Sequence, residues 1–198
     1  MVERTDAQSP IVAYAFHSGL GAGSKEFPTL ELLTTILSQG ESSRLHQRLV
    51  EKEQAATQAG AFAEAGFDPG LLWIYAMLPP GGDMAKVETL LDDELAKIAR
   101  DGVSAAELEK ARNLKSSAFW RGMATINGKA RALGTYEVFN GDHRKLFDAP
   151  AAFDAVTAAD VQALAKKILR VQNRTTGLLK PVAAAPTAPS ANRSASRR

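Results

Sequence analysis

The sequence predicts an α+β domain: an antiparallel or mixed sheet of about four strands covered by helices on one face. Short apolar runs bounded by glycine or proline, such as Ile11–His17 and Leu71–Leu78, read as strands. Several stretches between and after them carry apolar residues at three- and four-residue spacing and read as helices. Strands and helices do not alternate strictly, as a doubly wound parallel sheet would require.

In chain order, residues 1–9 are polar and read as a linker. Ile11–His17 is a buried strand entering a loop with Gly19, Gly21 and Gly23. Phe27–Ser38 places Leu30, Leu33 and Leu37 on one helical face, with Pro28 suited to the first turn and Gly40 to a stop. A second helix from about Ser43 to Gln54 buries Leu45, Leu49 and Val50. Thr57–Glu64 and Leu71–Leu78 form a hairpin about the turn Gly66, Asp68, Pro69, Gly70. A long amphipathic helix follows, with Met84, Val87, Leu91, Leu95 and Ile98 in one stripe and a stop at Gly102. Ser104 and Glu107 make a capping box for the next helix, whose Leu108, Ala111, Leu114, Ala118 and Phe119 share a face. Gly122, or Asn127 with Gly128, interrupts it before a helix from about Lys129 to Phe139. After the polar loop Asn140–Lys145, Thr157 and Asp160 open a helix containing Val161, Leu164 and Ile168, and Arg174–Leu179 is a closing strand. Residues 182–198, mostly Ala, Pro, Ser and Arg, are expected to form a disordered tail.

The chain has 198 residues, suited to one domain, with 45% hydrophobic and 23% charged residues, which excludes a fibrous repeat or wholesale disorder. Three of its 24 cations lie in the tail, leaving 21 against 22 acids, so no dense basic face is available for nucleic acid. The longest apolar run is about half a membrane-spanning helix, so no membrane partner is expected. Glu3, Arg4 and Asp6 interrupt the first 20 residues where a signal peptide would be apolar, although a fragment of a longer precursor would look the same. The absence of cysteine excludes disulfides, thiolate catalysis and cysteine zinc sites.

The glycine loop ending in Ser24 and Lys25 has the wrong spacing for a dinucleotide or P-loop, and a flexible turn is the stronger reading. His17, His46 and His143 are far apart, so no helix can present two imidazoles to zinc; His17 reads as a packed residue, His46 and His143 as solvent-facing. No nucleophile elbow surrounds a serine. Asp92, Asp93 and Glu94 diverge by about 100° each on a helix and read as a solvated face. Trp73 and Tyr75 share one side of a strand and read as packing.

The stretch Ser43-Arg44-Leu45-His46-Gln47-Arg48-Leu49-Val50-Glu51-Lys52, running into Ala56 and Thr57, resembles a segment in the second half of zinc peptidases of the pitrilysin, insulinase and mitochondrial processing peptidase family. Leu133–Glu137, the loop at Asp142 and Arg144, the helix start Val156–Val161, and Asn173-Arg174-Thr175 leading to Pro181 agree with it in order and spacing. The likeness covers roughly residues 11 to 181 and implies that 10–181 is a zinc-free peptidase-like domain.

The resemblance implies a molecule built of homologous halves, two in each subunit, closing like a clamshell around a peptide. Zinc sits on HxxEH in the first half, and this chain resembles the second. No cofactor is then expected here, and zinc belongs to the parent protein's first half. In many members the second half supplies an arginine and a tyrosine seven residues apart that contact the substrate. Matching by residue places those substrate-binding positions at Val50 and Thr57, where both are degenerate. Val50 has no donor, Thr57 keeps only a short hydroxyl, and Arg48 and Lys52 point about 200° away on an α-helix. No catalytic residue is expected in this chain.

A bacterial two-subunit type is the better match, since there the zinc-carrying subunit lacks the pair; a subunit inactive on both counts fits as well. The expected partners are the zinc-bearing N-terminal half, a homologous second subunit and peptide substrate. The alternative is a structural or assembly protein of the same fold without peptidase activity. A small-ligand binder using the glycine loop ranks last. The residues leave the compartment open, and many bacterial members resemble exported proteins, which is compatible with a periplasmic parent.

Overall fold

A computed structural model describes residues 2–4 and 9–181. Its elements are β1 (Val2–Arg4), β2 (Ile11–His17), α1 (Phe27–Ser38), a π-helical segment (His46–Lys52), β3 (Gln58–Ala63), β4 (Leu71–Met77), α2 (Met84–Asp101) and α3 (Ala105–Gly122). Then follow α4 (Ile126–Asn140), a 3-10 segment (His143–Asp148), α5 (Ala149–Ala155), α6 (Ala158–Ile168), a short 3-10 turn (Val171–Asn173) and β5 (Arg174–Pro181).

The strands form one sheet in the order β1-β5-β2-β4-β3. The pairs β5-β2, β2-β4 and β4-β3 are antiparallel, and β1 joins β5 in parallel, so the sheet is mixed. The backbone of Val2–Arg4, within the stretch expected as a linker, is thus an edge strand with Val2 opposite Leu179. The expected tail, 182–198, lies outside the described residues.

Period-two alternation decides which face the helices cover. In β4, Leu72, Ile74 and Ala76 are buried, while Leu71, Trp73, Tyr75 and Met77 are half-buried on the other face. In β2, Val12, Tyr14 and Phe16 turn the same way as Leu72 and Ile74. Nine of the twelve residues of α1 are buried, because it lies against β3 while α3, α5 and α6 pack on it. Each fully buried leucine in this cluster contributes about 1.5–3 kcal/mol, more than any one cap. The expected stripe Val87, Leu91, Leu95, Ile98 of α2 faces α6, whose Val161, Leu164 and Ile168 meet it.

Local signals set the ends. Ser104 with Glu107 and Thr157 with Asp160 form reciprocal capping boxes. The break after α3 falls at Gly122, and Thr125 caps α4 by accepting from the Gly128 N–H, so α4 begins at Ile126 rather than Lys129. Gly128 therefore sits inside the first turn, where a Cβ would lie 1.9 Å from the Gly122 carbonyl oxygen.

One expectation about packing changes. Past Ala111, α3 leaves the core: Ala118 is exposed, and α4 has no buried residue. Between them and α1 runs a groove of about 680 Å³ lined by Phe27, Phe119, Tyr136 and Phe153.

Candidate functional site

The segment from Ser43 to Thr57 is pinned by Leu45 and Leu49, both fully buried. The expected helix over 43–54 is instead one α-helical turn followed by the π-helical segment, with Glu53 N–H donating to the Arg48 carbonyl at 3.2 Å. The chain then reverses: Leu49 O accepts from the N–H groups of Ala55 (2.9 Å) and Ala56 (3.1 Å), with Gln54 left-handed at φ 48°. β3 follows directly, Thr57 N–H donating to the Met77 carbonyl at 2.8 Å. A left-handed glutamine costs about 1 kcal/mol, so the turn is held in place by the packing around it.

Val50 is half-buried and Thr57 exposed. The Thr57 hydroxyl already donates to the Met77 carbonyl at 3.1 Å, which leaves no free donor at either position. On a π-helix the advance is about 80° per residue, so Arg48 and Lys52 stand roughly 160° from Val50 and still do not replace a guanidinium there.

What fixes the segment is an ion-paired arginine. Arg44 donates from Nε to Glu107 Oε1 (2.6 Å) and from Nη2 to Glu107 Oε2 (3.0 Å) and the Gly102 carbonyl (3.0 Å). Its Nη1 lies 3.7 Å from the buried carboxylate of Glu94. The same Glu107 accepts from the Ser104 N–H at 2.8 Å, so one carboxylate caps α3 and ties it to the segment. The hydrogen bond from Arg44 outweighs burial and holds the Glu107 carboxyl down at about 2, and the Arg44 guanidinium is pushed up by the same bond. The capping box was legible in the sequence, but its partner Arg44, 63 residues away, was not.

Beside this pair opens a cleft of about 600 Å³, lined by Arg48, Lys52, Asp93 and Lys97. Of its cations, Arg44 pairs with Glu107 and Arg48 with Glu53 at 3.1 Å. The acidic triplet on α2 diverges as expected but is not one solvated face. Asp92 pairs with Arg174, whose guanidinium lies 3.9 Å from the centre of the Tyr14 ring; Asp93 is exposed; Glu94 is buried.

The histidines lie on three separate elements. His17, expected to be packed, is exposed, because it ends β2 with outward parity. His46 is half-buried, 3.1 Å from Glu51, and the exposed His143 is 2.8 Å from Glu137. Among the described residues no three His, Cys, Asp or Glu side chains could hold a metal ion together, so these residues do not fit a catalytic zinc.

The glycine loop is a packing turn. A Cβ at Gly21 would lie 2.6 Å from the Phe67 carbonyl oxygen and one at Gly23 2.5 Å from that of Phe139. The Ala22 N–H donates to Gly66 O and the Ser24 N–H to Gly21 O, so these amides are not left for a phosphate.

Trp73 and Tyr75 lie on the open face of the sheet. Phe62 stacks on Trp73 (6.3 Å, 18°), and Trp73 Nε1 donates to Glu64 at 2.9 Å. The Tyr75 ring covers Gly60, where a Cβ would be 2.7 Å from it. No helix of the described residues is long and apolar enough to cross a membrane.

The family described as Peptidase M16 inactive domain matches residues 1–115. The inactive peptidase domain of a Bordetella parapertussis protein superposes with a TM-score of 0.80 at 32% identity, covering 90% of this chain and 96% of that one. A Helicobacter pylori protease gives a TM-score of 0.83 at 22% identity, covering 91% of this chain and 43% of the other, which shows the fold. An uncharacterised zinc protease of Mycobacterium leprae is 31% identical over 140 residues, 71% of this chain and 31% of that protein. This chain spans about a third of the length of the curated relatives it matches. An α+β sheet with one covered face and these matches agree: the chain belongs to the Peptidase M16 inactive-domain family.

Proposed function

We propose that this chain is the zinc-free C-terminal half of a peptide-cleaving zinc metallopeptidase, serving as chamber wall and as interface for the zinc-bearing half. The observation that carries this reading is the segment 43–57. It is locked to α2 and α3 by Arg44, yet it holds no group of side chains that could bind a metal ion and no free donor at Val50 or Thr57. Such a segment can shape a cavity but cannot activate water. Zinc and the hydrolytic step then belong to the first half, and a homologous second subunit completes the chamber. Val50 and Thr57 face the substrate as inert wall positions.

Sedimentation of the purified chain with a zinc-loaded first half carrying HxxEH tests the interface. A 1:1 complex at micromolar concentration is expected. Two independently sedimenting species at all concentrations up to 100-fold higher contradict it.

A further inference from the structure

We infer that the groove between α1, α3, α4 and α5 is a binding site for a small amphipathic monocarboxylate, its apolar body about ten to twelve carbons long. The groove shares no lining residue with segment 43–57, and the inference does not depend on the chamber-wall reading.

The recess follows from how the helices leave the core. Past Ala111, α3 buries nothing, and neither does α4, so the two stand off from α1 rather than pack the space shut. Phe27 and Phe153 are buried at its base, while Phe119 and Tyr136 are half-buried on the α3 and α4 sides. The volume of about 680 Å³ lies within the range of small-molecule sites, roughly 300–1,000 Å³. An apolar body gains by leaving water for such walls, and a ring gains further from edge or offset contacts with the aromatics.

Charge selects the head group. Glu31 holds Lys115 at 2.7 Å, and the Lys115 ammonium lies 5.8 Å from the centre of the Phe153 ring. Burial, and then the charge of Glu31, push the Tyr136 phenol up, so it stays a protonated donor at neutral pH. With Glu31 and Lys115 cancelling, the exposed Lys25 and Lys145 outnumber the one remaining acid of the lining, Asp148. The lining carries one positive charge in excess, which a single carboxylate neutralises and a cationic head would double.

The surroundings favour a small molecule over a chain. An extended peptide recruits the unpaired backbone of a strand edge. Here the bordering backbone is chiefly helical, and the loop amides of Ala22 and Ser24 already donate to Gly66 and Gly21. A recess walled by four helices of one chain admits only a protruding side chain of a folded partner.

Titration calorimetry of the full chain with 6-phenylhexanoate tests the site. Saturable 1:1 binding is expected with a Kd on the order of 100 µM, the usual yield for about 14 non-hydrogen atoms. The ammonium of the same body, 6-phenylhexylamine, should bind about 10-fold more weakly or worse. Lys145→Glu, at an exposed position, reverses the excess charge and should weaken the carboxylate about fivefold or more. Ala118→Trp, also exposed, fills the groove and should abolish binding; Ala152→Trp replaces it if that variant loses cooperative unfolding. No saturable heat, equal binding of the ammonium, or binding unchanged by the tryptophan that fills the groove would overturn the inference. Tighter binding of acetyl-Ala-Ala-Phe than of 6-phenylhexanoate would overturn it in favour of a peptide end.

Discussion

Glu107→Ala removes two things at once. The α3 cap loses its reciprocal partner, at about 1 kcal/mol. Arg44, whose side chain is 15% exposed, loses the carboxylate that faces its guanidinium edge. Orphaning a fully buried ion costs about 3–5 kcal/mol, and the partial exposure of this pair brings that to about 2 kcal/mol. The sum is roughly 3 kcal/mol, or about 6–12 °C in Tm for a domain of this size. Urea unfolding should show it as a lower midpoint with unchanged slope. Glu107→Gln keeps an acceptor for the Ser104 N–H and should cost about half as much. The pH dependence is the sharper readout. The Glu107 carboxyl is held at about 2 in the folded chain against an ordinary 4.5. A depressed carboxyl contributes fully above its unfolded value and loses that contribution as pH falls from 4.5 toward 2. With a third of the side chain exposed, the contribution is about 1–2 kcal/mol. The stability gap between the native chain and Glu107→Gln should therefore close by that amount over this window. A Glu107→Ala variant within 0.5 kcal/mol of the native chain, or a gap that does not change with pH, would refute the role given to the pair.

Four further substitutions, one of them a control on α3, probe the segment and the glycine loop. Gln54→Gly relieves the left-handed glutamine at φ 48° and should raise stability by about 0.5–1 kcal/mol in urea; a loss would mean the turn is not strained. Gly23→Ala drives a Cβ against the backbone oxygen of Phe139 and should cost about 2 kcal/mol, whereas Gly122→Ala, with nothing within 4 Å, should change Tm by no more than about 2 °C. Thr57→Val removes a hydroxyl already committed to Met77, so cleavage by the assembled two-half enzyme should stay within twofold; a tenfold loss would make Thr57 a substrate contact in its own right.

Much of the fold was legible because its signals are local. The leucine spacing of α1, the stripe of α2, the turn between β3 and β4 and both capping boxes need only a few neighbouring residues to be read. What the sequence hid depends on distant partners or on hydrogen-bond register. β1 is three residues long and exists by pairing with β5 at the far end of the chain. The π-helical segment carries the same apolar spacing as an α-helix, since Leu45 and Leu49 suit both. α5, seven residues with Pro150 near its start, is too short to show a period. Glu94 looks solvated in the sequence because nothing on α2 announces that Arg44 arrives from another element. At the candidate site, residue identity alone shows that Val50 carries no side-chain donor and Thr57 only a hydroxyl, while the commitment of that hydroxyl required coordinates.

The most direct measurement follows the peptidase rate of a zinc-loaded first half as this chain is added. Cleavage of a quenched fluorescent peptide should rise saturably with the chain and be zero for the chain alone at any zinc concentration. Turnover or stoichiometric zinc binding by these 198 residues unaided would contradict a non-catalytic half. Association without any gain in rate would instead favour a structural or assembly protein of the same fold.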